Sequence, residues 1–172
     1  HAADMACYDA KDAGRNAIRF FNPLMQTKAS QHAAMERDLR HALTGQQFTL
    51  HYQPQVDATG QLCGVEALVR WQHPAQGLLA PGLFIDVAED TGLIVPLGRW
   101  VLQTACQQMV AWSQTQPDAR WKMAVNVSAR QFHQPGLVQQ GMEVLLRTGA
   151  PAQRLKLELT ESILLLDVAD TI

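Results

Sequence analysis

The chain has 172 residues, 47% of them hydrophobic and 17% charged, with a formal net charge of -2. That length suits one ordinary domain with a real core, and the composition excludes a disordered tail. The near-neutral balance excludes a broad basic footprint for a nucleic-acid polymer or an acidic membrane. Three cysteines, Cys7, Cys63 and Cys106, stand far apart without Cys-x-x-Cys spacing. They predict neither a zinc site nor a disulfide framework, and they suit a reducing, cytoplasmic setting. No run of about 18 apolar residues occurs, so this stretch is expected to make no membrane contact; a longer parent could carry spans elsewhere.

In chain order, residues 3–16 place Met5 and Tyr8 at helical spacing, with Gly14 as a left-handed cap and Ile18 and Phe20 in a short strand after it. A helix this short needs a partner, so residues 1–21 read as the end of a domain whose body lies elsewhere. From Asn22 to Gln31 the pattern is lost and Pro23 intervenes, which predicts a linker over residues 22–34. Met35, Leu39, Ala42 and Leu43 then mark an amphipathic helix that stops near Gly45. Phe48, Leu50 and Tyr52 alternate along a strand ending at Pro54. A turn at Asp57 to Gly60 leads to a second strand, Val65 to Trp71, and the two read as an antiparallel pair.

Beyond that pair, helices and strands alternate. Pro81 begins a helix through Phe84, Ile85, Val87 and Ala88, closed by Gly92. Leu97, Val101, Ala105, Met109 and Trp112 mark a longer one. Lys122 to Val127 is a strand. Leu137, Val138, Met142, Leu145 and Leu146 mark a helix stopping near Gly149, and Leu155, Leu157 and Leu159 alternate along a last strand. The alternation predicts an α/β fold with a largely parallel sheet.

Three strands each carry one oxygen ligand, Glu66, Asn126 and Glu158. Two carboxylates and one amide oxygen are hard donors, suited to Mg²⁺, Mn²⁺ or Ca²⁺ and poorly suited to zinc. Each residue also has a plain structural reading. Glu66 could pair with Arg70 or sit exposed on a half-wet strand. Asn126 could cap the turn at Ser128 to Arg130. Glu158 could pair with Lys156 or Arg154.

Five stretches stand in a fixed order: Tyr52-Gln53-Pro54; Glu66-Ala67-Leu68-Val69-Arg70-Trp71; Phe84-Ile85 with Ala88-Glu89 and Gly92-Leu93-Ile94; Asn126-Val127-Ser128; and Glu158-Leu159-Thr160-Glu161-Ser162. Together they resemble the EAL domain, the bacterial cyclic-di-GMP phosphodiesterase family, over residues 35–172. The Ala3-Asp4 to Asn16 run resembles the last helix of a GGDEF (diguanylate cyclase) domain. The resemblance implies a TIM-barrel-like fold, a modified β/α barrel with an antiparallel first strand, represented here by about its first half. It implies Glu66, Asn126 and Glu158 as metal ligands, with Glu66 central to catalysis, in a two-metal site for Mg²⁺ or Mn²⁺. Gln53, Leu68 and Arg70 would hold the dinucleotide, Arg70 at a phosphate. Glu161 would steady the loop over the metals. Pro81, in the Gly77 to Gly82 loop near the substrate mouth, is expected to touch a base.

The implied reaction is hydrolysis of cyclic-di-GMP to linear pGpG. The family continues with an Asp-Asp pair, a lysine, and later glutamate and glutamine residues, none of them reached before Ile172. The chain by itself is therefore expected to be inactive and either poorly folded or self-associated, since a TIM barrel takes about 250 residues. The alternative reading is a cyclic-di-GMP receptor that binds without cutting. His41, His51, His73 and His133 are expected at the surface or in loops, Trp100 and Trp112 in packing, and Cys106 as a small buried hydrophobe.

Overall fold

The computed structural model describes residues 23–117 and 119–159. The helix and strand expected within residues 1–21, and Glu161, lie outside them. The chain divides into two compact units, His1–Asp38 and Leu39–Ile172. Helix α1 is Pro23–Thr44, so the stretch expected to be a patternless linker is helical. Pro23 occupies the first helical position, where its missing N–H costs nothing. Residues 26–31 are all exposed, and a helix turn that buries nothing needs no apolar stripe. Of the α1 residues that fall in the second unit, Leu39 and Ala42 are buried.

Strands β1 (Phe48–Val56), β2 (Leu62–His73), β3 (Gly77–Leu79), β4 (Lys122–Val127) and β5 (Leu155–Leu159) form one sheet in the order β1-β2-β4-β5, with β3 beside the end of β2. β1 and β2 are antiparallel, as expected of the first strand, while β2-β4 and β4-β5 are parallel. The parallel steps are crossed by helices α2 (Ile85–Thr91) and α3 (Ile94–Thr115), then by α4 (Ala129–Phe132) and α5 (Leu137–Thr148). This is the mixed α/β arrangement of a TIM-barrel-like fold, present as a part of one. No described helix is long and apolar enough to cross a membrane.

Alternation along β2 sorts its side chains into two sets. Val65, Ala67, Val69 and Trp71 are buried, while Glu66, Leu68 and Arg70 are half-buried. The buried set faces α3, whose Leu97, Val101, Ala105, Cys106 and Met109 are also buried. Burial pushes the Cys106 thiol up to about 11, consistent with an inert packing residue. An aromatic cluster closes one end of this core. Phe48 lies 5.7 Å from Trp71, 6.0 Å from Phe84 and 5.8 Å from Trp100 by ring centroids. Trp71 is fully buried, and its Nε1 donates to Gln47 Oε1 at 3.0 Å. At the other end Tyr52 stacks edge-on to Trp112 at 4.8 Å, and burial raises its phenol to about 12.

Four local expectations are corrected. The helix starting at Pro81 is split: Pro81–Leu83 is a 3-10 turn, and α2 begins after Phe84 and ends at Gly92, in the left-handed region at φ 78°. Residues Gly77–Leu79, expected as loop, pair with β2 through Trp71↔Leu79. His73 is buried rather than exposed, because its Nδ1 accepts the backbone N–H groups of Ala75 and Gln76, both at 3.2 Å, and its ring packs on Trp71. In α5 the buried residue is Val144, whereas Val138, Met142 and Leu146 are exposed. Only the side of α5 toward α3 is covered, so the apolar stripe is wider than the buried one.

Trp71→Ala should cost about 3–5 kcal/mol of stability, read as a lowered urea midpoint. A loss below about 1 kcal/mol would mean the aromatic cluster is not the core of this end of the sheet.

Candidate functional site

The half-buried set of β2 belongs to the sheet face opposite α3. Directly opposed residues of an antiparallel pair share a face. Gln53, opposed to Glu66, and His51, opposed to Leu68, therefore look the same way, as does Thr49, opposed to Arg70. On the parallel side Glu66 is in register with Ala124, and Ala124 with Lys156. A row Gln53–Glu66–Ala124–Lys156 thus crosses four strands. Two residues beyond Ala124, on the same face, Asn126 is in register with Glu158.

Within this group Asn126 Nδ2 donates to Glu66 Oε1 at 2.7 Å. The contact joins residues far apart in sequence and satisfies a half-buried carboxylate that would otherwise be costly. Asn126 Oδ1 accepts no hydrogen bond from the described residues and stays available. Lys156 Nζ lies 2.7 Å from Glu158 Oε1. The hydrogen bond and charge of Glu158 hold the Lys156 ammonium above its usual range, with smaller help from Cys63 and Glu66.

The plain structural readings now separate. Arg70 is four residues from Glu66 along the strand, about 13 Å at the usual rise; its Nη1 donates to the Val69 carbonyl at 2.9 Å. Ser128, not Asn126, caps the following helix. Glu158 does pair with Lys156, whereas Arg154 donates to the Trp121 carbonyl at 2.9 Å and to Ser113 Oγ at 3.1 Å.

The position of Asn126 is set by the turn that follows it. Ser128 Oγ accepts the Gln131 N–H at 3.3 Å, and Gln131 Oε1 accepts the Ser128 N–H at 3.2 Å, a reciprocal capping box. Gln131 is buried against Gly98 of α3. Arg130 Nη1 donates to the carbonyls of Glu89 and, at 3.1 Å, Asp90, at the end of α2. Opposite charge there suits the negative end of the helix dipole. The roles of Arg130 and Gln131 went unread in the sequence, although Ser-x-x-Gln before a short helix is a legible capping signal.

A cavity of about 320 Å³ where α2 and α3 meet the sheet is lined by Leu68, Pro81, Asp86, Glu89 and Asn126, and on its core side by Ala67, Val69, Leu97 and Val101. Leu68 and Pro81 thus line the same cavity as Asn126. Burial, and then the charges of Asp86 and Asp90, raise the Glu89 carboxyl above its ordinary range, opposed by a Ser128 hydrogen bond and by Arg130. Among the described residues no three His, Cys, Asp or Glu side chains cluster, so a cation here would depend on the amide of Asn126. The set Glu66, Asn126 and Glu158 supplies hard oxygen donors that fit Mg²⁺ or Mn²⁺.

A model of the EAL domain matches residues 36–171. The chain is 48% identical over 166 residues to the bifunctional diguanylate cyclase/cyclic di-GMP phosphodiesterase MucR of Pseudomonas aeruginosa, covering 96% of this chain and 24% of MucR. It is 39% identical over 163 residues to the cyclic di-GMP phosphodiesterase PdeR of Escherichia coli, covering 95% of this chain and 24% of PdeR. The solved PaMucR phosphodiesterase in complex with c-di-GMP superposes with a TM-score of 0.74 at 47% identity, over 80% of this chain and 56% of that one. The chain thus spans about a quarter of the length of these curated relatives.

A Cβ at position 98 would overlap the buried amide of Gln131. Gly98→Ala should therefore lose about 1–3 kcal/mol by overpacking, against the gain of about 0.5–1 kcal/mol that the change brings in an open helix. Chemical denaturation decides the sign. A stabilised variant would show that Gln131 does not lock the turn.

Proposed function

Because the chain belongs to the EAL domain family, we propose that the intact protein is a metal-dependent phosphodiesterase that hydrolyses cyclic-di-GMP to linear pGpG. The observation that carries this reading is the contact of Glu66 with Asn126 on a sheet face that also presents Glu158. These three residues would hold Mg²⁺ or Mn²⁺, with further ligands supplied by chain beyond this sequence. Two such ions would supply Lewis-acid activation of water and of the phosphate.

The chain's own residues bind and orient. Asn126 Nδ2 holds the Glu66 carboxylate in place before any cation arrives. Gln53, directly across from Glu66, offers an amide to the substrate. Arg70 presents a guanidinium whose fork suits a phosphate. Leu68 and Pro81 form an apolar wall for a base beside Asn126. Glu161 is assigned to steady the loop over the metals. Residues 1–21 are assigned to the end of a preceding GGDEF domain, a reading supported by the similarity to MucR, which is named for both activities.

In the intact protein Glu66→Gln should lower formation of linear dinucleotide in saturating Mn²⁺ by at least about tenfold, the lower end of what losing even an outer partner costs a metal site. Binding of cyclic-di-GMP should survive in part through Arg70 and the cavity wall. Undiminished turnover would remove Glu66 from the machinery. Wild-type protein that binds the dinucleotide without cutting it would put a receptor in place of the enzyme. The 172-residue chain alone should show no turnover, because a two-metal site needs ligands on both sides of the pair.

A further inference from the structure

Lys156 is a cation already seated among the proposed metal ligands. It lies in register with Ala124, and Ala124 with Glu66, so the three share one row on one face. The residue between the two charged ones carries only a methyl group. Neighbouring strands lie about 4.8 Å apart, and a lysine stem can reach across a single small side chain. The Lys156 ammonium contacts Glu158 Oε1 at 2.7 Å. Glu158 in turn is the register partner of Asn126, which holds Glu66. Glu158 thus holds one resident positive charge in the row that also carries Glu66. The Lys156 side chain remains 54% exposed, so it is free to swing away, and an exposed ion pair of this kind is weak enough to be exchanged.

We propose that Lys156 is the resident counter-cation of this site: it neutralises Glu158 while no metal is bound and must be displaced when a divalent cation binds. Resting on the metal-ligand reading of Glu66, Asn126 and Glu158, this makes Lys156 a positioning residue that sets the metal concentration at which the site fills. A lysine that merely fixed the rotamer of Glu158 would act in the opposite direction. Removing it would then loosen the ligand and weaken metal binding. Removing a competitor strengthens it.

The test is Mn²⁺ affinity of the intact protein, measured by titration calorimetry without substrate, for wild type, Lys156→Met, Lys156→Gln, Lys156→Arg and Glu66→Gln. Far-UV circular dichroism confirms that each variant is folded. The two neutral variants should bind Mn²⁺ about three- to tenfold more tightly than wild type, the size expected of one unit charge a few ångströms away in a solvated site. Lys156→Arg keeps the charge and should stay within about twofold of wild type. Mn²⁺ binding that Glu66→Gln weakens but that both neutral variants leave unchanged, or weaken, overturns the counter-cation and spares the metal site. Absence of any Mn²⁺ binding by the wild type overturns the metal reading and this inference with it.

Discussion

Strand β2 serves the core and the site on alternate residues, and the rest of the structure depends on that register. Val65, Ala67, Val69 and Trp71 pack into the core, and Glu66, Leu68 and Arg70 face the other way. A slip of one residue would exchange the two sets. The slip is forbidden by Trp71, which is fully buried among Phe48, Phe84 and His73 and is tied to Gln47. The same register that buries Trp71 therefore sets Glu66 opposite Gln53 and beside Ala124. Apolar packing, rather than any polar bond in the site, decides where the carboxylate stands.

A second line of restraint reaches the site from α3. Gln131 lies against Gly98, and Gln131 and Ser128 satisfy each other's backbone N–H groups. Ser128 follows Asn126 by two residues, so the turn fixes the end of β4 from which the amide reaches Glu66. Arg130 ties the same turn to the last carbonyls of α2, the helix whose Ile85, Asp86 and Glu89 line the adjacent cavity. Side chains supported by packed elements on two sides keep their geometry better than side chains on free loops.

The charges on this face also bear on what it can bind. Glu66 and Glu158 stand on the face, and Asp86 and Glu89 line the cavity beside it. A phosphodiester brought there would be repelled unless positive charge intervened. Arg70 lies too far along β2 to neutralise Glu66, and Lys156 is already engaged with Glu158. A divalent cation of the kind proposed for this site would remove that repulsion, since it would attract both the carboxylates and a phosphate. The acidity of the face is therefore in keeping with the proposed metal-dependent reading.

The sequence by itself determined the order and kind of the main elements, because strand and helix periodicities report which residues one neighbour covers. It also determined the antiparallel first pair, through a turn only a few residues long, and the helix stops at Gly92 and Gly149. Tertiary structure decided what local spacing cannot carry. The helix at Pro23 buries nothing along residues 26–31, so it leaves no periodic trace. In α5 the packing of one side only made Val144 the buried residue and left Leu146 outside. His73 became a buried acceptor because the turn after β2 folds back its N–H groups. The meeting of Asn126 with Glu66, of Gln131 with Gly98, and the row that sets Lys156 across from Glu66 all depend on strands and helices brought together over long separations. Register and packing create those contacts, and no local pattern encodes them.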